Sequence, residues 1–151
     1  MHCRKEKLFM YVETRKNAEL FLKAYEDVWV AEQVMHGSPN NAVWHCTQAA
    51  EKTMKGFLRC YSMDYEYGHD LDVLLENVLS VYGLPKVVSE HILFLDTYRL
   101  GLRYKNMSND PTPQDAKVAI SRTKEIMQEF NNNPKIAQFM NEAKEAHAKM
   151  L

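Results

Sequence analysis

The stretch Trp44–Arg59, "WHCTQAAEKTMKGFLR", carries two orderly faces. At about 100° per residue, Trp44, Gln48, Glu51, Lys52, Lys55 and Arg59 fall on one side of a helix. Cys46, Ala50, Met54 and Phe57 fall on the other, and Tyr61 continues that row. An amphipathic segment of this kind predicts an α-helix with its apolar side in a core. A regular polar row also arises on an ordinary solvated helix face, so the row alone does not separate a site from solubility.

The same period of about 3.6 recurs along the chain and the period of 2 never persists, which predicts an all-α protein. A first helix is expected over Thr14 to His36, burying Leu20, Ala24, Val28, Ala31 and Met35, with Gly37 and Pro39 closing it. Asn40 or Asn41 then caps the second helix, which runs to about Ser62. The short link predicts an antiparallel hairpin. "HDLDVLLENVLSVYG" places Leu71, Leu74, Leu75, Val78, Leu79 and Tyr82 on one face, with Asp70 as cap and Gly83 as stop. A fourth helix follows Pro85 through Tyr104, with Leu95, Tyr98 and Leu102 inside, and "KNMSNDPTP" breaks it. Thr112, Pro113 and Asp115 form the start signal of a fifth helix ending near Phe130. Beyond "NNNP", a last helix aligns Ile136, Phe139, Met140 and Ala143. The expected fold is an antiparallel up-and-down bundle of four to five helices with an extra C-terminal helix. Residues 1–131 form the bundle, and 132–151 append the last helix to the same domain.

A chain of 151 residues with 46% apolar content can bury one core without a metal or disulfides. Its formal charge of −1, with both signs intermixed, argues against a broad electrostatic footprint for duplex DNA or an anionic membrane. Cys3, Cys46 and Cys60 are odd in number and lack C-x-x-C spacing, as expected of reduced thiols in the cytoplasm. There is no signal-peptide pattern and no apolar run near the roughly 20 residues that span a bilayer, so a soluble protein is expected.

The chemistry motifs are mostly missing. The chain has no P-loop, no G-x-G-x-x-G, no H-E-x-x-H and no nucleophile elbow. His2, His36, His45, His69, His91 and His147 are scattered, and none has a ligand-spaced partner that implies a metal. No cofactor is implied. The remaining polar residues gather around the second to fourth helices. "YGHDL" puts His69 and Asp70 at a helix start, where free N–H groups meet an anion or a capping carboxylate. Asp96, Arg99 and Arg103 share one stripe at ion-pair spacing. If the second and fourth helices are neighbours, Lys55, Arg59, Arg99 and Arg103 can together line a phosphate site.

The order of these pieces, "QAAEKTMKGFL", then "GHDLDVLL", then "LDTYRLGLRY", resembles the HEPN family over roughly Asn17 to Phe130. The second-helix motif, with Gln48, Ala49, Ala50, Glu51, Lys52 and Lys55, is its most specific element. The resemblance implies an antiparallel helical bundle, commonly a homodimer. It also implies a frequent partner, a minimal nucleotidyltransferase, in a toxin–antitoxin or modification system. On this resemblance Gln48, Glu51, Lys52, Asp70 and Asp96 are family-motif or interface positions, and the Gln48, Glu51, Lys52 and Lys55 stripe is a family feature facing a neighbouring helix, a dimer mate or a ligand.

Many HEPN proteins are metal-independent ribonucleases that use an arginine followed after about four to six residues by a histidine, for phosphate binding and proton transfer. Here Arg103 is followed at those positions by Ser108, Asn109 and Asp110, and Arg99 by Tyr104, Lys105 and Asn106. No catalytic residue is therefore assigned. The sequence points to a non-catalytic module with a nucleotide or phosphate pocket at Lys55, Arg59, His69, Arg99, Arg103 and Tyr104. Tyr61, Tyr65, Tyr67 and Tyr104 offer faces for a base. The alternative is an RNA endonuclease with a rearranged site in which His69 or His91 approaches Arg103.

Overall fold

The computed structural model describes residues 2–63, 68, 70–99 and 110–151, with side chains from residue 16 onward. Its helices are α1 (His2–Val34), α2 (Pro39–Cys60), α3 (Leu71–Leu79), α4 (Lys86–Arg99), α5 (Pro113–Asn131) and α6 (Ala137–Met150). No strand occurs among the described residues. The all-α bundle expected from the periodicity is the fold observed.

α1 and α2 form the antiparallel hairpin, and α2 lies at the centre, packed against α1, α3, α4 and α5. α1 begins at His2, well before the expected Thr14, because neither glycine nor proline interrupts the chain there. The cap of α2 is Ser38, one step before Pro39 at the first helical position, so Asn40 and Asn41 lie inside the helix. The Ser38 Oγ does not cap the backbone but accepts a 2.8 Å bond from Asn41 Nδ2. α2 stops at Cys60 in a left-handed turn. Met63 N–H donates to Leu58 O at 3.0 Å and Ser62 N–H to Arg59 O at 2.9 Å, with Ser62 at φ 53°.

α3 buries Leu71, Leu74, Leu75 and Val78, but Leu79 is exposed and the helix ends there, ahead of the expected stop at Gly83. In α4, Leu95 and Tyr98 are buried as expected, whereas the extension to Tyr104 with Leu102 lies outside the described residues. The α5 start is a full capping box. Asp115 N–H donates to Thr112 Oγ1 at 3.1 Å, and Thr112 N–H donates to the Asp115 carboxylate at 2.9 Å.

The core centres on Phe57, whose ring meets Tyr61, Tyr82 and Phe130 at centroid distances of 4.6, 5.6 and 5.2 Å. Asn133, in the α5–α6 link, donates to the Tyr61 hydroxyl at 3.0 Å and accepts from Lys135 N–H at 2.9 Å, pinning the link to the end of α2. α6 then packs on α1 and α5, burying Met140 and Ala143. Among the described residues, no helix is long and apolar enough to cross a membrane.

Gly56 leaves the space that the Phe21 ring of α1 occupies, because a Cβ there would lie 2.7 Å from Cε1 of the fully buried Phe21. Gly56→Ala should lose about 1–3 kcal/mol through overpacking. Ser62→Gly should gain about 0.5–1 kcal/mol by relieving the left-handed serine. Urea denaturation of both variants checks the opposite signs.

Candidate polar site around the second helix

The polar row of α2 is turned largely toward protein. Asp27, on the facing side of α1, is only 7% exposed. It accepts from Lys52 Nζ at 2.6 Å, and its other oxygen meets His45 Nδ1 at 2.8 Å. A carboxylate removed from water needs such partners, and two residues of α2 set about two turns apart supply them. The Trp44 indole stands edge-on to His45 at a centroid distance of 4.9 Å. Next to Lys52 in the chain, Glu51 is buried and pairs with Lys55 Nζ, one turn on, at 3.9 Å. Trp44 and Arg59 are exposed, and Gln48 is half-buried. The row that a solvated face would explain is therefore in large part a row of interhelical and intrahelical pairs.

A second polar cluster joins α3 to α4. Arg99, in the last turn of α4, donates from Nε to the buried Asp96 at 2.7 Å, and its Nη1 lies 3.1 Å from Asp70. Desolvation works to lower the Arg99 pKa, but the hydrogen bond and charge of Asp96 and the charges of Asp70 and Asp72 hold it above its ordinary value. Asp70 occupies the cap position of α3 without capping it by its side chain, because its carboxylate is directed to Arg99. A phosphate approaching Arg99 has to compete with two carboxylates.

The structure thus brings Asp70, Asp96 and Arg99 together, and separately Glu51 with Lys55 and Lys52 with Asp27. His69, Arg103 and Tyr104 lie outside the described residues, as do Tyr65 and Tyr67. Tyr61 is engaged in the core by Phe57 and Asn133 and is not an open stacking platform. His91 sits two turns before Arg99, roughly 12 Å along the helix axis. Its Nε2 is held by Glu125 of α5. The thiols of Cys46 and Cys60 are pushed up by burial to about 12 and about 11, which keeps them protonated and non-nucleophilic near neutrality. Among the described residues, no group of three His, Cys, Asp or Glu side chains is placed to hold a metal.

Beside Arg99 opens a cavity of about 490 Å³ between the start of α2 and the end of α4. Asn40, Asn41 and Trp44 of α2, Tyr98 and Arg99 of α4, and Asp110 before α5 line it, along with Val43 and Thr47. Its size falls in the range of small-ligand sites. Its wall offers amide groups, an indole that is 55% exposed and one guanidinium. Apart from Arg99, none of these was visible as a site residue in the sequence. Asn40 and Asn41 read as caps, Tyr98 as core and Trp44 as part of a stripe, and only the packing of α4 against α2 joins them.

Arg99→Ala should leave the buried Asp96 carboxylate without its cation and cost about 2–3 kcal/mol in chemical denaturation. Arg99→Lys should recover only part of this, because a point ammonium does not reach both carboxylates as the planar fork does.

A family model for the HEPN domain matches residues 11–133 of the chain. Among solved structures, the crystal structure of an archaeal HEPN homologue superposes with a TM-score of 0.64 at 20% sequence identity. The match covers 76% of this chain and 94% of that one, and at this identity it speaks for the fold alone. No curated protein matches the chain. On the family match over most of its length and on the shared bundle, the chain belongs to the HEPN domain family.

Proposed function

We propose that this HEPN domain is a non-catalytic binding module whose α2–α4 face receives a nucleotide, a partner protein such as a minimal nucleotidyltransferase, or both. The observation that carries the reading is the cavity beside Arg99, where an exposed indole and two asparagine amides stand next to a guanidinium. Stacking on Trp44 and hydrogen bonds from Asn40 and Asn41 suit a base. Arg99, already matched by Asp70 and Asp96, is less suited to phosphate than its charge suggests. Phosphate contacts then fall to Arg103, and His69 and Tyr104 complete the proposed lining; Lys55, already paired with Glu51, and Arg59 stand apart from the cavity, about 16 and 22 Å along α2 from Trp44. An exposed tryptophan is also a common anchor at protein interfaces, which supports the same face as a docking surface for a second copy or for a partner in a toxin–antitoxin or modification system.

Proton transfer has no assigned owner in this reading. The arginine and histidine spacing of the family ribonucleases is missing from the sequence, and His45 and His91 are each held by a carboxylate on another helix.

Calorimetric titration with ATP, GTP and the matching nucleosides, alongside light scattering for the oligomer mass, tests the proposal. The expected result is micromolar binding that weakens about tenfold in Trp44→Ala, the loss of one stacking platform. Nucleosides should retain much of the affinity of nucleotides. Binding of none of these by a well-folded protein would remove the nucleotide from the proposal. Cleavage of structured RNA in the presence of chelator, lost on Arg103→Ala, would contradict the non-catalytic reading.

A further inference from the structure

Apart from the α2–α4 cavity, and sharing no lining residue with it, α6 closes a second hollow against α1 and α5. It has a volume of about 450 Å³, comparable to small-molecule sites and concave on three helices. Its floor is apolar and aromatic. Val28 and Trp29 come from α1 and Met127 from α5, and the Trp29 indole remains 41% exposed. An indole beside a thioether favours a flat, polarisable occupant.

Among the charged groups at this hollow, one lysine is left without an ion-pair partner. Lys124 is matched by Glu32 at 3.0 Å across α5 and α1. Lys144 of α6 also lines the hollow, and it makes no ion pair among the described residues. His147 stands edge-on to Trp29 at a centroid distance of 6.5 Å and narrows the opening. Tyr25 lines the wall, and its hydroxyl has no hydrogen-bond partner among the described residues. Burial pushes the Tyr25 pKa up to about 12, so the phenol keeps its proton and serves as a donor.

We infer that the α1–α5–α6 hollow is a binding site for a small aromatic monoanion, with the ring on Trp29 and Met127 and the anionic group between Lys144 and the Tyr25 hydroxyl. The site is separate from the α2–α4 face and does not depend on the function proposed for it. A carboxylate suits the polar pair, because Lys144 offers an unmatched ammonium and Tyr25 a neutral O–H, each of which donates to an anionic oxygen.

Naphthalene-2-carboxylate is the probe, titrated into the full chain carrying Trp44→Phe. Because the sequence has two tryptophans, Trp29 is then the sole indole reporter. The expected result is saturable, one-site quenching, with naphthalene-2-methanol binding about fivefold more weakly for want of the charge. Lys144→Gln should abolish that preference for the acid. Ala148→Phe, at an exposed position on the rim, should weaken binding at least about tenfold by filling the hollow, with the thermal midpoint unchanged. Quenching that never saturates, equal affinity for acid and alcohol, or full affinity in folded Ala148→Phe would each overturn the inference.

Discussion

The fold turns on the Asp27 carboxylate, buried between the two long helices. An ionised group at 7% exposure is tolerable only where cations or donors meet it, and both of its oxygens are met from α2, by Lys52 and His45. This pairing fixes how α2 lies along α1. The contact of Phe21 with Gly56, farther along the same hairpin, belongs to the same alignment and leaves no room for a Cβ. Held in this way, α2 is buried on both sides, polar toward α1 at Asp27 and apolar toward the aromatic cluster around Phe57. The remaining helices assemble around it.

That arrangement determines what is left for function. Lys52, Glu51 and Lys55 make ion pairs within the bundle, and Arg99 holds α4 to the start of α3 through Asp96 and Asp70. A reading that treats all these cations as a phosphate lining counts charges that the fold has already matched. What the fold leaves open differs in character. Among the described residues it includes two cavities with aromatic walls, one at Trp44 and Tyr98 and one at Trp29, that share no lining residue.

The limits of the sequence follow from the range of the interactions. The Thr112 and Asp115 capping box and the four buried apolar positions of α3 are local patterns, written at fixed spacing, and the structure has them where the spacing puts them. Asp27 was not legible as the partner of Lys52 and His45, because nothing local to residue 27 announces a pairing with residues 18 and 25 positions away. For the same reason Asp70 read as a cap. Its position at a helix start is the usual signal, and only the arrival of Arg99 from α4 redirects the carboxylate. Tyr61 read as a base platform until the α5–α6 link brought Asn133 to its hydroxyl. The early start of α1 was missed because sequence patterns mark helix boundaries by caps and breakers, and residues 2–14 contain no glycine or proline.

The most direct test of this account is a double-mutant cycle on Asp27→Ala and Lys52→Ala, read by urea denaturation. If the polar row of α2 holds the hairpin together, the two substitutions should be coupled by about 1–3 kcal/mol, well beyond the additivity of independent sites. Additivity within about 0.3 kcal/mol would show that the row contributes nothing to the hairpin, contradicting the account.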